Sequence, residues 1–247
     1  MKPVEIQFAS GPFQLSGTLH LPESPDPPLV VGSHGLEGCR SSAKQLVLAR
    51  LLPEKGMAFF RFDHRGCGRS QGDFAADTSL SKRSDDLVAA VRHVMSLGLT
   101  RPSLALFGSS MGGATCIHAW QRLAALGFPP AGAVLCASPV ISSTIVNIPT
   151  QANGSRPALP LSFFTENLLF DLTRDTANLH HVLIFHGDAD EVVPVSNARL
   201  LYQRAQSPKT LVIQKDGKHR MDNPVDQKDF EDRVPDWYAG LFNSPLP

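Results

Sequence analysis

The pattern of apolar and polar positions changes once along the chain. Val4–Ala9 and Leu15–Leu21 alternate apolar with polar residues and are separated by Ser10-Gly11-Pro12, which predicts an antiparallel hairpin with one face in water. From Pro28 onward the apolar residues gather in short runs of the kind buried on both faces: Leu29–Val31, Ala58–Phe62, Ser103–Phe107, Ala131–Ala137, Val182–Phe185 and Thr210–Ile213. Segments with helical periodicity lie between most of them. Strand then helix, repeated, predicts a parallel sheet with helices on both faces.

Caps and breakers delimit the helices. Ser42–Lys55 ends at Gly56, and Met111–Leu126 ends at Gly127. Ser84 can cap a helix with Asp85 and Asp86 in its first turn, an apolar stripe of Leu87, Val91, Val94 and Met95, and a stop at Gly98. Two further helices are expected over Pro194–Ala205 and Val225–Phe242. Pro139–His181 breaks the alternation: it holds Pro149, Pro157 and Pro160, a polar patch from Gln151 to Ser155, and the apolar Leu161, Phe163, Phe164, Leu168, Leu169 and Phe170. It is too long for an ordinary connection. Residues 139–181 are read as a lid or cap inserted over the C-terminal edge of the sheet, where open α/β folds bind ligands. The alternative is a helix and loop packed on the side of the domain.

Length and charge narrow the partners. The 247 residues suit one domain around one sheet, so 1–247 is expected to be a single domain. The 23 basic and 23 acidic residues balance, without a run of like charge, which disfavours nucleic acid and anionic membrane surfaces and leaves a small molecule as the expected partner. No stretch of 18 apolar residues offers a membrane span, and the N-terminal residues lack the apolar core of a signal peptide. Cys39, Cys67, Cys116 and Cys136 are scattered, with no CxxC pair, so a cytoplasmic protein without disulfides is expected.

Gly108-Ser109-Ser110-Met111-Gly112 is a GxSxG string directly after a buried strand and directly before a helix. On such a strand-to-helix turn a serine sits in a strained backbone conformation, and the helix N-terminus just beyond it favours an oxyanion. The chain carries its own control. Gly68-Arg69-Ser70-Gln71-Gly72 matches the same string but follows no strand, and Asp73–Ser81 after it reads as polar loop, so Ser70 is not the expected nucleophile. Gly66, Gly68 and Gly72 are spaced GxGxxxG, which does not match a dinucleotide fingerprint.

A serine hydroxyl needs a base, and an imidazole suits that role near neutral pH. Of nine histidines, His219 lies in the loop after the last predicted strand, at the edge that carries Ser110. His20 lies on the hairpin and His93 and His118 lie within helices; His34 and His186 each precede a glycine at a strand end, where they are expected to brace the turn. The base needs an acid, and the loop after Val182–Phe185 offers Asp188 and Asp190. A metal site built from Asp188, Asp190 and Glu191 with nearby histidines is the competing reading, but the spacing fits neither an EF-hand nor HExxH. For a tetrahedral intermediate the expected main-chain donors are the Met111 N–H and, from the loop His34-Gly35-Leu36-Glu37-Gly38, the Leu36 N–H.

Together these features resemble the α/β-hydrolase superfamily, in particular its small feruloyl (cinnamoyl) esterase-like and serine aminopeptidase-like members. The resemblance rests on GxSxG, the order Ser, Asp, His, the His34-Gly35 turn, Asp63-His64-Arg65-Gly66-Cys67-Gly68-Arg69-Ser70, which is like the family's DxRGxGxS, and HGxxDxxVP from His186 to Pro194. It implies an eight-stranded, mostly parallel sheet opening with an antiparallel hairpin, and it assigns the acid to Asp190 rather than Asp188. Asp216, Lys218 and Arg220 depart from the small residues usual around the family's histidine and predict a more polar setting for the base. The expected chemistry is ester hydrolysis by Ser110, His219 and Asp190, with no cofactor or metal, on a small-molecule ester bound near Phe163, Phe164 and Phe170. Thioesterase, amidase or peptidase, and perhydrolase activity would use the same triad. A catalytically silent binding module, or a nicotinamide-dependent oxidoreductase, would need no such triad.

Overall fold

A computed structural model describes residues 3–148, 150–152 and 158–243. Eight strands form one sheet: β1 (Val4–Ser10), β2 (Phe13–His20), β3 (Leu29–Ser33), β4 (Ala58–Phe62), β5 (Leu104–Ser109), β6 (Pro130–Cys136), β7 (Val182–Gly187) and β8 (Lys209–Gln214). Their order is β1-β2-β4-β3-β5-β6-β7-β8, antiparallel from β1 through β2 to β4 and parallel from there on. This is the sheet that the resemblance implies, with all eight segments in the places that the apolar pattern marks.

The continuous apolar runs are strands covered on both sides. Along β5, Leu104 and Leu106 face one core while Ala105 and Phe107 face the other; along β7, Val182 and Ile184 oppose Leu183 and Phe185. Helices α1 (Ala43–Glu54) and α7 (Pro224–Asn243) cover the second face, and α7 is seated by the buried Tyr238, whose hydroxyl donates to the Leu106 carbonyl at 2.6 Å. Helices α3 (Leu80–Ser96), α4 (Met111–Ala125) and α6 (Ser196–Arg204) cover the first.

Two expectations are corrected. Helix α3 starts at Leu80, one turn earlier than Ser84, with the Ser79 hydroxyl accepting from the Lys82 N–H. Ser84 and Asp86 are buried inside it, because Asp86 takes the Arg65 side chain at 2.7 Å and the Ser10 hydroxyl at 2.7 Å. A hydroxyl-and-guanidinium partner set of this kind lets a carboxylate point inward, which a solvent-facing first turn would not require. The stretch Asp73–Ser81, expected as polar loop, contains the short helix α2 (Phe74–Asp77), capped by the Asp73 carboxylate on the Ala76 N–H.

Of segment 139–181, residue 149 and residues 153–157 lie outside the described residues, and with them Pro149, Pro157 and the Asn153-Gly154-Ser155 part of the polar patch. The described part carries α5 (Leu161–Asn167), two single 3-10 turns and an isolated bridge between Ile141 and Asp171. It is tied to the neighbouring loop and helix. The buried Asn197 of α6 accepts from the Val140 and Ile141 N–H groups at 2.9 and 3.0 Å, and the Val146 N–H donates to the Val192 carbonyl at 2.9 Å.

Candidate active site

Three loops at the C-terminal ends of the parallel strands meet. Ser110 lies between β5 and α4 with φ 53° and ψ −124°, a left-handed conformation that a non-glycine residue holds only when its surroundings enforce it. The enforcement comes from close packing: a Cβ on Gly112 would collide with the Ser33 carbonyl, and one on Gly108 would stand 2.6 Å from the Gly112 carbonyl oxygen. The Ser110 N–H is tied to the Cys136 carbonyl at 2.8 Å.

His219, from the loop after β8, brings Nε2 to 3.0 Å from Ser110 Oγ. Its Nδ1 lies 2.9 Å from Asp190 Oδ2 and 3.0 Å from Oδ1. Asp190, from the loop after β7, is buried, and its Oδ1 accepts from the Val192 and Val193 N–H groups at 2.9 and 2.8 Å. Burial alone would raise its pKa. Hydrogen bonds from His186, His219 and the Val192 N–H outweigh burial and hold the carboxyl well below the usual carboxylate range, so it is ionised at neutral pH.

His186, expected to brace its turn, does so and reaches the Asp190 carboxylate as well. Its fully buried Nε2 lies 2.8 Å from the Val193 carbonyl and 3.2 Å from Asp190 Oδ2, so it braces the acid loop and the acid together. Asp188 faces elsewhere, accepting the Asp216 N–H at 2.6 Å. Among the described residues no group of three or more His, Cys, Asp or Glu is arranged to hold a metal ion. Asp216, Lys218 and Arg220 are all exposed; Arg220 also lies on the wall of the cavity beside Ser110, and the Glu191 carboxylate accepts the His219 main-chain N–H at 3.1 Å.

The second GxSxG is a structural turn. Ser70 Oγ donates to the Asp63 carbonyl at 2.6 Å and accepts from the Ser16 N–H at 2.9 Å. The Asp63 carboxylate accepts from the Arg40 and Arg69 N–H groups at 2.7 and 3.0 Å, and Gly68, at φ 54°, leaves the space that this carboxylate fills. Of the other histidines, His20 accepts from Arg61 Nε at 3.0 Å, and His93 stacks on Phe8.

Ser110 and His219 open onto a cavity of about 930 Å³. Leu36 and Met111 lie on its wall, and among the described residues neither main-chain N–H is taken up by a protein acceptor. Segment 139–181 supplies an apolar side of it, including Ile145, Ile148, Phe164, Leu168 and Phe170. Phe163 does not line it. Its ring is buried, packed on Phe74 at 6.0 Å and edge-on to Phe164, because alternate faces of the short α5 look toward the core and the cavity.

The family model "Serine aminopeptidase, S33" matches residues 25–169 of the chain, from before β3 through the Ser110 turn and into segment 139–181. The chain belongs to this serine aminopeptidase S33 family. S33 membership and the eight-stranded sheet place it in the α/β-hydrolase superfamily. The chain is 30% identical over 194 residues to the uncharacterized protein YfhR of Escherichia coli K12, covering 77% of this chain and 62% of that protein. It thus spans about 62% of the length of that relative. It is also 26% identical over 197 residues to the lysophosphatidylserine lipase ABHD12 of Danio rerio, covering 74% of this chain and 49% of the lipase. Among solved structures, Est1E of Butyrivibrio proteoclasticus with ferulic acid bound superposes with a TM-score of 0.81 at 21% identity, covering 97% of this chain and all of that one. At that identity the likeness is one of fold. No helix among the described residues is long and apolar enough to cross a membrane.

Proposed function

We propose that this S33-family chain is a serine hydrolase acting on carboxylic esters. Ser110 Oγ attacks the ester carbonyl while His219 Nε2 takes its proton, and Asp190 steadies the imidazolium that results. His219 then gives that proton to the departing alcohol. A water, activated by the same nitrogen, hydrolyses the acyl-enzyme and frees the acid. The Leu36 and Met111 N–H groups hold the oxyanion of both tetrahedral intermediates, a task for which removal of one donor typically costs about 10²- to 10³-fold in rate. The steps need no cofactor.

The observation that carries this reading is the unbroken relay of 3.0 and 2.9 Å contacts from Ser110 through His219 to Asp190 at the wall of the cavity. Segment 139–181 serves as a cap, and its apolar residues Ile145, Phe164 and Phe170 favour an aromatic or medium-length acyl group. The ferulic acid bound in the similarly folded Est1E is consistent with that choice. All four cysteines are free, which supports a reducing, cytoplasmic setting.

A fluorophosphonate probe should label the chain at Ser110, and a panel of matched ester, thioester and peptide substrates should show ester turnover fastest. No labelling would leave a silent binding module. Thioesters or peptides turned over faster than esters would move the assignment to the corresponding hydrolase.

A further inference from the structure

The peptide group joining Gly35 to Leu36 lies at the wall of the cavity, beside Ser110. Its N–H is the oxyanion donor proposed above, and its carbonyl oxygen lies 2.7 Å from His34 Nδ1. The loop rests against the nucleophile: a Cβ placed on Gly35 would stand 3.5 Å from Ser110 Cβ and 3.4 Å from the Ser109 carbonyl oxygen.

The partners of the His34 ring fix its tautomer. The His64 main-chain N–H, which can only donate, points at His34 Nε2 at 3.2 Å, so Nε2 carries the lone pair. The proton is therefore on Nδ1, and Nδ1 donates to the Gly35 carbonyl. His34 is buried, with Arg83 and His64 as its charged or titratable neighbours. The fully buried Arg83 guanidinium donates to the His34 carbonyl, anchoring the same turn from behind. Burial and the Arg83 charge hold the imidazole well below the usual histidine range, so the ring stays neutral through the pH range in which an ester hydrolase works. His64 is itself kept neutral by burial, with a pKa lowered to about 3.

We propose that His34 is a positioning residue for acyl transfer, which orients the Leu36 N–H by donating from Nδ1 to the carbonyl of the same peptide group. This inference rests on the ester-hydrolase reading above. The chain of bonds runs His64 N–H to imidazole to Gly35 carbonyl, and then across the peptide to the Leu36 N–H and the oxyanion. Each bond in such a chain polarises the next. The Gly38 N–H also donates to the Gly35 carbonyl, at 3.2 Å, so loss of the imidazole weakens the anchor without abolishing it.

The test compares His34→Asn with His34→Gln. The Asn amide can place an N–H where Nδ1 stands but reaches no acceptor to His64; the Gln amide can accept from His64 but offers no donor to Gly35. With a p-nitrophenyl ester as substrate, the Gln variant should lose ~10-fold in kcat with KM within about 2-fold, a fraction of the loss for removing an oxyanion donor outright. Its affinity for an arylboronic acid, which forms a tetrahedral adduct on Ser110, should fall in parallel. The Asn variant should keep kcat within ~3-fold of the native chain. Equal losses in the two variants, or a change confined to KM, would overturn the proposal. Nitrogen NMR of the native chain gives a second readout that needs no variant to fold: His34 should show a proton on Nδ1, unchanged from pH 5 to 9, and a proton on Nε2 would overturn it. Ser110→Ala separates the two layers of inference, since ester turnover that survives that change refutes the ester-hydrolase reading itself and not the role of His34.

Discussion

Replacing Asp190 by Asn tests the relay through the one property that an amide lacks. On one side of the carboxylate, Oδ1 accepts from the main-chain N–H groups of Val192 and Val193 at 2.9 and 2.8 Å. Those donors cannot reverse, so in the variant the amide oxygen must take that side and the NH₂ group must take the place of Oδ2. There it meets His186 Nε2, which the Val193 carbonyl at 2.8 Å keeps as a donor, and His219 Nδ1. His219 is the partner that can yield: Nδ1 lies 3.0 Å from the Oδ1 side but 2.9 Å from the NH₂ group, and in meeting that donor it accepts at Nδ1, moves its proton to Nε2, and no longer has a lone pair for the Ser110 hydroxyl. A wrong tautomer of this kind costs about 10⁴-fold in kcat, or about 5.4 kcal/mol at 1.36 kcal/mol per decade. The assay is steady-state turnover of a p-nitrophenyl ester, with near-ultraviolet circular dichroism to show that the variant is folded. Asp188→Asn is the internal control, because Asp188 accepts the Asp216 N–H and does not reach His219, and it should keep kcat within a few-fold. A folded Asp190→Asn variant with more than a tenth of native kcat, or an equal loss at Asp188, would refute the reasoning.

Other changes separate the roles of neighbouring residues. Ser110→Ala should abolish fluorophosphonate labelling, whereas Ser70→Ala should label normally but lose about 1–3 kcal/mol of stability in chemical denaturation, having left the Asp63 carbonyl and the Ser16 N–H without their partner; labelling that follows Ser70 would reverse the assignment. Phe163→Ala should cost about 3–5 kcal/mol of stability as a core truncation, while Phe164→Ala, at the cavity wall, should mainly change the ranking of acyl groups in an ester panel; the opposite pattern would show that the two rings exchange roles. For pH dependence, His64 has its pKa lowered by burial from 6.5 to about 3, so between those values the unfolded chain binds a proton that the folded chain refuses. Its contribution to stability is therefore complete above about pH 6.5 and declines as the pH falls, by about 1.5–2 kcal/mol on reaching pH 5. Urea unfolding at pH 7 and pH 5 should show that slope, and His64→Asn should reduce it; an unchanged slope would mean that His64 is not the group responsible.

The sheet was legible because its strands obey simple rules. Strands covered on both faces read as unbroken apolar runs, as at Leu104–Phe107, and the edge strand β1 alternates buried with exposed positions, whereas β2 beside it is buried from Leu15 to Leu19 although its residues alternate apolar with polar or small. The start of α3 was not legible, since Asp85 and Asp86 look like an acidic first turn and only the fold shows that Asp86 points inward to Arg65 and Ser10. The Phe163 and Phe164 pair misled for a related reason. Adjacent aromatic residues on a short helix cannot share a face, and the sequence does not say which of the two looks inward.

The two GxSxG strings make the wider point about the site. Three matching letters in a five-residue string place one serine at φ 53° between a buried strand and a helix, facing an imidazole, and the other in a loop where its hydroxyl closes a turn on Asp63. What separates them is the neighbouring element: α4 begins at Met111 and leaves the first turn with unsatisfied N–H groups, whereas Gly72 leads into a four-residue helix that caps itself on Asp73. The same distinction runs through the two His-Gly turns. In both, the histidine was expected to brace its turn, and in both it does, but the thing braced is different: the Gly35 carbonyl at one, the Asp190 carboxylate at the other. A histidine that only filled space could be replaced by leucine at the cost of packing. These two are placed so that replacement should reach the proposed chemistry, one through the Leu36 N–H and one through the Asp190 carboxylate, and that separates a brace near a site from a part of it.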